Sequence, residues 1–187
     1  MNCRSKSIVL IGMMGAGKSC VGCCLQRQTK LALLDTDEIV ASKFGISIPE
    51  IFFKYGEQTF REAETQTLRE LAPAKQTIIV TGGGIVVREE NVNFLKRLGI
   101  VVWLDGNEET LFERASRATT RPLLQGKNPR EAFAGILKTR MPLYASIADV
   151  RVDTSVLTSE EVAVAILSNI RKLGASFRVR PPIGVIT

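Results

Sequence analysis

Eight residues near the start of the chain, Gly12-Met13-Met14-Gly15-Ala16-Gly17-Lys18-Ser19, have the types and spacing needed to hold a polyphosphate. They follow the apolar run Ser7-Ile8-Val9-Leu10-Ile11 and lead into a segment able to be helical. That is the strand, loop and helix context which gives the spacing its meaning. Glycines let successive backbone N–H groups turn inward around phosphate oxygens, and a helix N-terminus adds partial positive charge. Backbone groups from Gly15, Ala16, Gly17, Lys18, Ser19 and Cys20 are expected to form this cradle. The Lys18 ammonium would reach the β- and γ-phosphates, and the Ser19 hydroxyl would ligate Mg²⁺. The plainer alternative is a glycine turn without a ligand. With every required position filled in the right order, the chain is read as one that handles a nucleoside triphosphate.

A second set of residues bears on what receives the phosphoryl group. Leu31-Ala32-Leu33-Leu34 is a short apolar run, read as a buried strand that ends in Asp35-Thr36-Asp37. In open α/β sheets ligands gather at the carboxyl ends of strands, so both carboxylates are expected beside the phosphate loop. Thr77–Thr81 runs into Gly82-Gly83-Gly84, where backbone and ligand can approach closely, although a glycine triplet alone is also an ordinary turn. The chain has no histidine, so a general base must be a carboxylate or another group and a metal site must use oxygen, which suits Mg²⁺. Ser19 and Asp35 are the candidate metal ligands, and Asp37 is the candidate to accept or align an acceptor proton. Arg121 lies in a stretch rich in proline, glycine and hydroxyls, 117–130, expected to be a lid over the donor; there it would stabilise charge on the γ-phosphoryl oxygens.

Composition limits the alternatives. A length of 187 residues suits one domain with a real core, and 45% hydrophobic with 24% charged residues is ordinary for a globular protein. No apolar run approaches the length of a membrane span, and the short N-terminal apolar stretch passes straight into the phosphate loop, so a cytoplasmic protein is expected. The net charge of +6 is scattered and aromatics make up only 6%, which fits small anionic ligands better than nucleic acid. A monomer with no nucleic-acid or membrane partner is the expectation. All four cysteines fall within the first 24 residues. Cys20 and Cys23 have C-x-x-C spacing, but with no second pair and no histidine a zinc site lacks ligands. Buried structural thiols packing the first helix against the sheet are the expected reading.

The elements that must position these residues follow from periodicity and punctuation. Helices are expected from about Gly17 to Thr29, Glu38 to Phe44, and from the Ser47–Glu50 capping box through Phe53, with Gly56 as a break. Gln58–Leu71 continues as helix, with Phe60, Ala63, Thr67, Leu68 and Leu71 on a buried stripe. This helical stretch, about 36–72, is too long for a simple crossover and is read as a substrate-binding insertion. Strands at 77–81, 100–104 and 149–152 alternate with helices from Glu89, Asn107 and Arg130, the last expected to bend or break near Pro142. Thr158-x-x-Glu161 caps a final helix, and 175–187 is read as a tail. Five β-rich runs alternating with helices predict a three-layer α/β/α sandwich on a five-stranded parallel sheet of the P-loop type, one domain over 1–174.

Among P-loop proteins, a GTPase would carry an Asn-Lys-x-Asp motif, which is absent, and a motor ATPase would show an apolar strand ending in acid beside strand one, where glycines stand instead. A small-molecule kinase accounts for more of the residues. The chain resembles the shikimate kinases through Gly12–Ser19, Asp35-Thr36-Asp37, Phe53-x-x-Gly56-Glu57-x-x-Phe60-Arg61-x-x-Glu64, Gly82-Gly83-Gly84, Arg121-Pro122-Leu123-Leu124 and Arg140-x-Pro142-Leu143-Tyr144 with Ala148-Asp149. The likeness spans about 7–173. It implies transfer of the ATP γ-phosphoryl group to the 3-hydroxyl of shikimate, on the route to chorismate and aromatic amino acids. It also implies that Asp37 polarises the acceptor hydroxyl, Arg61 and Arg140 clamp the substrate carboxylate, and Gly83 with its neighbours Gly82 and Gly84 lies against the ring. Arg121 would contact ATP and Asp35 would support Mg²⁺.

Each assignment has a bland competitor: Arg61 pairing only with carboxylates of its own helix, Arg140 on the surface, Asp35 as a helix cap. Rival readings are a gluconate- or nucleotide-type kinase, or an ATP-binding regulatory module without turnover. One departure concerns the nucleotide: Thr154-Ser155-Val156-Leu157 supplies no cation after strand five to grip the base.

Overall fold

The computed structural model describes residues 7–71, 75–117 and 128–174. Five parallel strands form one sheet in the order β2-β3-β1-β4-β5: β1 (Ser7–Ile11), β2 (Ala32–Asp35), β3 (Thr77–Val80), β4 (Gly99–Asp105) and β5 (Val150–Asp153). β1, β3 and β4 are buried along their whole lengths, as parallel strands covered on both faces must be. Ile8, Leu10, Ile78, Ile79, Val101 and Val102 accordingly read as unbroken apolar runs. The expected buried character of the second strand does not hold. β2 is an edge strand, paired only with β3 and half-exposed, because the sheet order leaves its outer side open.

Among the described residues seven α-helices flank the sheet: α1 (Lys18–Thr29), α2 (Thr36–Phe44), α3 (Ile48–Glu70), α4 (Glu89–Leu98), α5 (Glu108–Ser116), α6 (Pro129–Ile147) and α7 (Ser159–Lys172). α7 opens with the expected reciprocal capping box of Thr158 and Glu161, and Val162, Ala163, Ile166, Leu167 and Ile170 are its buried stripe. α3 begins with the Ser47–Glu50 box and is interrupted at Gly56, whose φ of 82° is one that few side chains tolerate. The expected break near Pro142 is absent. α6 runs through it to Ile147, because buried Phe133, Leu137, Tyr144 and Ile147 anchor the helix on both sides of the proline. Such anchoring offsets a local penalty of about 3 kcal/mol for proline in a helix interior.

α2 and α3 hold a small core of their own, Val40, Ile51 and Phe60 with Phe44, Ile46 and Phe52 packed around it. This helical pair stands between β2 and β3 in the chain and carries the residues of the expected substrate region. Among the described residues, no helix is long and apolar enough to cross a membrane.

Candidate active site

β1 delivers the phosphate loop, and the loop can take its shape only with glycine at certain positions. Gly15 has φ +85°, and a β-carbon there would stand 2.1 Å from the Leu111 carbonyl oxygen of α5. The loop is therefore wedged between α5 and β4, and its turn passes into α1 at Gly17. Lys18 Nζ donates to the carbonyls of Gly12 at 2.8 Å and Met13 at 3.0 Å, which holds the ammonium over the loop. A cleft of about 680 Å³ opens here. Gly15, Ala16, Gly17, Lys18, Ser19 and Cys20 line one wall, with Asp35, Asp37, Gly82 and Gly83 beside them.

The two aspartates divide between two settings. Asp35 ends β2 and caps α2, its Oδ1 accepting from the Asp37 N–H at 2.9 Å. The capping alternative therefore holds for one oxygen, while Oδ2 faces Ser19 Oγ at 3.5 Å. Ser19 and Asp35 thus present a hydroxyl and a carboxylate oxygen together at the cleft, the hard donors that suit Mg²⁺, an ion which keeps several waters and takes one or two protein ligands plus phosphate. Asp37 sits in the first turn of α2 and lines the same cleft.

The three glycines after β3 are where the fold brings the remaining groups together. A β-carbon on Gly82 would stand 2.6 Å from Asp37 Oδ1 and 2.7 Å from Glu64 Oε1. One on Gly83 would touch the phosphate loop, 3.3 Å from the Met14 nitrogen, and one on Gly84 would run into the Arg61 guanidinium. The Gly83 carbonyl accepts from the Tyr144 hydroxyl at 2.5 Å. α2, α3, α6 and the phosphate loop all meet at this strip, which side chains would force apart.

Arg61 and Arg140 are 8% and 7% exposed, so neither is a surface arginine. Arg61 does pair with carboxylates of its own helix, Glu64 at 2.5 Å and Glu57 at 2.9 Å, but it does so inside the site, against Gly84. Arg140 lies beside Tyr144, and its charge acts on both Tyr144 and Glu64. The two arginines therefore share neighbours, although they lie on different helices 79 positions apart in sequence (140 less 61). Burial pushes the Glu64 carboxyl up to about 7 despite the opposing pull of Arg61 and Arg140, and the nearby Asp37 charge adds to the rise. Glu64 Oε1 has no hydrogen-bond partner among the described residues. Burial likewise raises the Tyr144 phenol, to about 12, so it stays a donor.

Two groups of the site carry no role in the sequence reading: Glu64, named there only within a motif, and Arg114. Glu64 is fully buried in the cluster, and the signal for it was its place three residues after Arg61. Arg114 of α5 lines the cleft with Arg117, and donates to the Thr154 carbonyl at 2.9 Å. α5 thus places a cation against the segment after β5, which carries none of its own. Arg121 and most of the 117–130 stretch lie outside the described residues. The expected burial of the cysteines fails for Cys20 and Cys23, which are exposed; among the described residues only Cys24 is a buried cysteine, while Cys3 lies outside them, and Gly22 approaches the sheet closely, where a β-carbon would stand 2.8 Å from Val80.

A family model described as shikimate kinase matches residues 14–171. A shikimate kinase of Thermodesulfovibrio yellowstonii is 43% identical over 168 residues, 90% of this chain and 96% of that protein. One from Moorella thermoacetica is 44% identical over 159 residues, 85% of this chain and 90% of that protein. The solved structure of a shikimate kinase from Acinetobacter baumannii in complex with shikimate superposes with a TM-score of 0.87 at 38% identity, covering 91% of this chain and 96% of the other. A gluconokinase from Sinorhizobium meliloti aligns with a TM-score of 0.54 at 19% identity, a likeness of fold alone.

Proposed function

This chain belongs to the shikimate kinase family, and on that premise we propose how its residues divide the transfer of the ATP γ-phosphoryl group to the 3-hydroxyl of shikimate. The observation that carries the reading is the convergence of buried Arg61 and Arg140 beside Asp37 and the glycine strip, next to the phosphate loop. An acceptor with both a carboxylate and a hydroxyl matches that set.

Lys18 and the loop N–H groups hold the β- and γ-phosphates, a positioning task that accounts for most of catalysis in phosphoryl transfer. Ser19 and Asp35 hold Mg²⁺, which when bound neutralises charge on the phosphates. The base lies beside Arg114, whose contact with Thr154 fixes its guanidinium at the cleft. Arg61 and Arg140 take the substrate carboxylate, since guanidinium forks donate parallel hydrogen bonds and keep their charge when buried. The flat backbone of Gly82, Gly83 and Gly84 faces the ring. Asp37 then accepts, or aligns, the proton of the attacking hydroxyl. Arg121 serves the γ-phosphoryl oxygens from the 117–130 stretch, and one kinase domain over 1–174 carries every part of the site.

Release of ADP measured against shikimate, gluconate and CMP tests this reading. Stimulation by shikimate is expected. Stimulation by gluconate or CMP instead would overturn it, and ATP binding without any acceptor-dependent release would favour a regulatory module.

A further inference from the structure

α1 has a packed face and an open face, and its cysteines divide between them. Val21, Gly22, Cys24 and Leu25 are buried, while Cys20 and Cys23 are exposed one helical turn apart. Packing therefore accounts for Cys24 and leaves the other two unexplained. Cys24 is also engaged: its Sγ donates to Glu160 Oε1 at 3.5 Å and accepts from Arg27 at 3.2 Å, and burial raises its pKa. Cys20, by contrast, lines the nucleotide cleft directly after Ser19.

We propose that Cys20 and Cys23 are a peroxide-oxidisable thiol pair whose disulfide shuts the nucleotide site. The Cys20 sulfur attacks one peroxide oxygen; an S–O bond forms, the O–O bond breaks, and the second oxygen leaves as water with the thiol proton. The Cys23 sulfur then attacks the Cys20 sulfur; the S–S bond forms, the S–O bond breaks, and a second water leaves with the Cys23 proton. Two sulfurs are oxidised by one peroxide, and a dithiol reductant reverses the change. An accessible sulfur with a resolving cysteine beside it is the arrangement this chemistry requires.

The effect on the site follows from helix geometry. Side chains at i and i+3 have β-carbons about 5–6 Å apart, whereas a disulfide needs about 3.5–4.5 Å. Closing that gap tightens the turn from Cys20 to Cys23, which directly follows Lys18 and Ser19, the two side chains assigned above to phosphate and Mg²⁺. Linkage runs both ways: MgATP, by holding that turn helical, opposes oxidation. The strain also makes the bond easy to reduce, as a switch requires.

This inference rests on the nucleotide assignment for its effect on activity but not for its chemistry, so the test reads both. The full chain is treated with hydrogen peroxide, with and without MgATP, and followed by shikimate-dependent ADP release and by mass spectrometry of peptide 19–27. The expected result is loss of activity together with loss of two hydrogens from a Cys20–Cys23 linked peptide. Dithiothreitol should restore both, and MgATP should slow both. The Cys23→Ser chain should keep its basal activity, and under peroxide its peptide should gain an oxygen that dimedone traps on Cys20. Oxidation falling on Cys3 or Cys24 instead, a linked pair with full activity, or loss of two hydrogens persisting in Cys23→Ser would each overturn the proposal. Absent activity before peroxide would count against the kinase reading alone, because the peptide and its protection by MgATP still report on the thiols.

Discussion

The Arg61 guanidinium lies flat against Gly84, so close that a β-carbon there would stand 2.3 Å from Nη1 and 2.5 Å from Cζ. The arginine cannot simply swing away, because Glu64 and Glu57 hold it from the other side. Gly84→Ala must therefore pull Arg61 off its carboxylates or shift the glycine strip. A rise in the KM for shikimate of roughly tenfold is expected, the equivalent of about 1.4 kcal/mol of lost binding. The KM for ATP should stay near its original value. Equal effects on both substrates would show that the strip, rather than Arg61, had moved.

Arg140→Lys tests the other half of the clamp. An ammonium keeps the charge but loses the fork. The KM for shikimate should rise by roughly ten- to a hundredfold, as expected for lost hydrogen bonds to a charged group. Steady-state kinetics with each substrate varied in turn make the measurement. A rise confined to ATP would place Arg140 outside the acceptor site.

Asp37→Asn removes a proton acceptor with almost no change of shape. The kcat should fall by about 10²–10⁴-fold, the range for loss of a general base. ATP binding, followed by fluorescence titration or calorimetry, should persist. Near-normal turnover would take Asp37 out of the mechanism.

The phosphate loop, the carboxylates after β2 and the capping boxes of α3 and α7 were legible because each is a local pattern with a local cause. Arg61 and Arg140 were legible in role only through resemblance, since their convergence depends on how α3 and α6 pack against the strip. Edge exposure of β2 was not legible at all. An apolar run of four residues reads the same at the edge and the centre of a sheet, and strand order is a non-local property. Pro142 misled for a similar reason: its local penalty is visible in sequence, while the burial of Phe133 and Tyr144 that offsets it is not.

Arg114 illustrates the same limit and yields a prediction. The segment after β5 carries no cation for the adenine, yet α5 places Arg114 against the Thr154 carbonyl at 2.9 Å. Arg114→Ala should raise the KM for ATP several-fold, on the scale of a stacked or hydrogen-bonded arginine, and leave the KM for shikimate near its original value. A change in the KM for shikimate alone would remove Arg114 from the nucleotide site.

Glu64 makes stability depend on pH in a direction opposite to that of most carboxylates. Burial is the larger influence, and it outweighs the Arg61 pair, so the folded-state pKa lies near 7 against an ordinary 4.5. Below about 4.5 both folded and unfolded chains hold the proton, and Glu64 imposes no burial penalty. As pH rises from there, the unfolded chain releases its proton first, so the folded state loses relative stability until about 7, where Glu64 also ionises. The loss across that window is a few kcal/mol, since each pH unit between the two pKa values is worth about 1.4 kcal/mol. Glu64→Gln cannot titrate and should flatten this segment of the pH–stability curve, whatever it does to stability at a single pH. Urea denaturation of both chains at pH 4 and pH 8 (settings of about one unit or less beyond each end of the window) makes the comparison. The other groups near Glu64, namely Asp37, Arg61, Arg140 and Tyr144, are common to both chains and cancel to first order. Parallel pH dependences in the two chains would mean that Glu64 is ionised throughout, held so by Arg61, and that the ion pair rather than burial sets its charge.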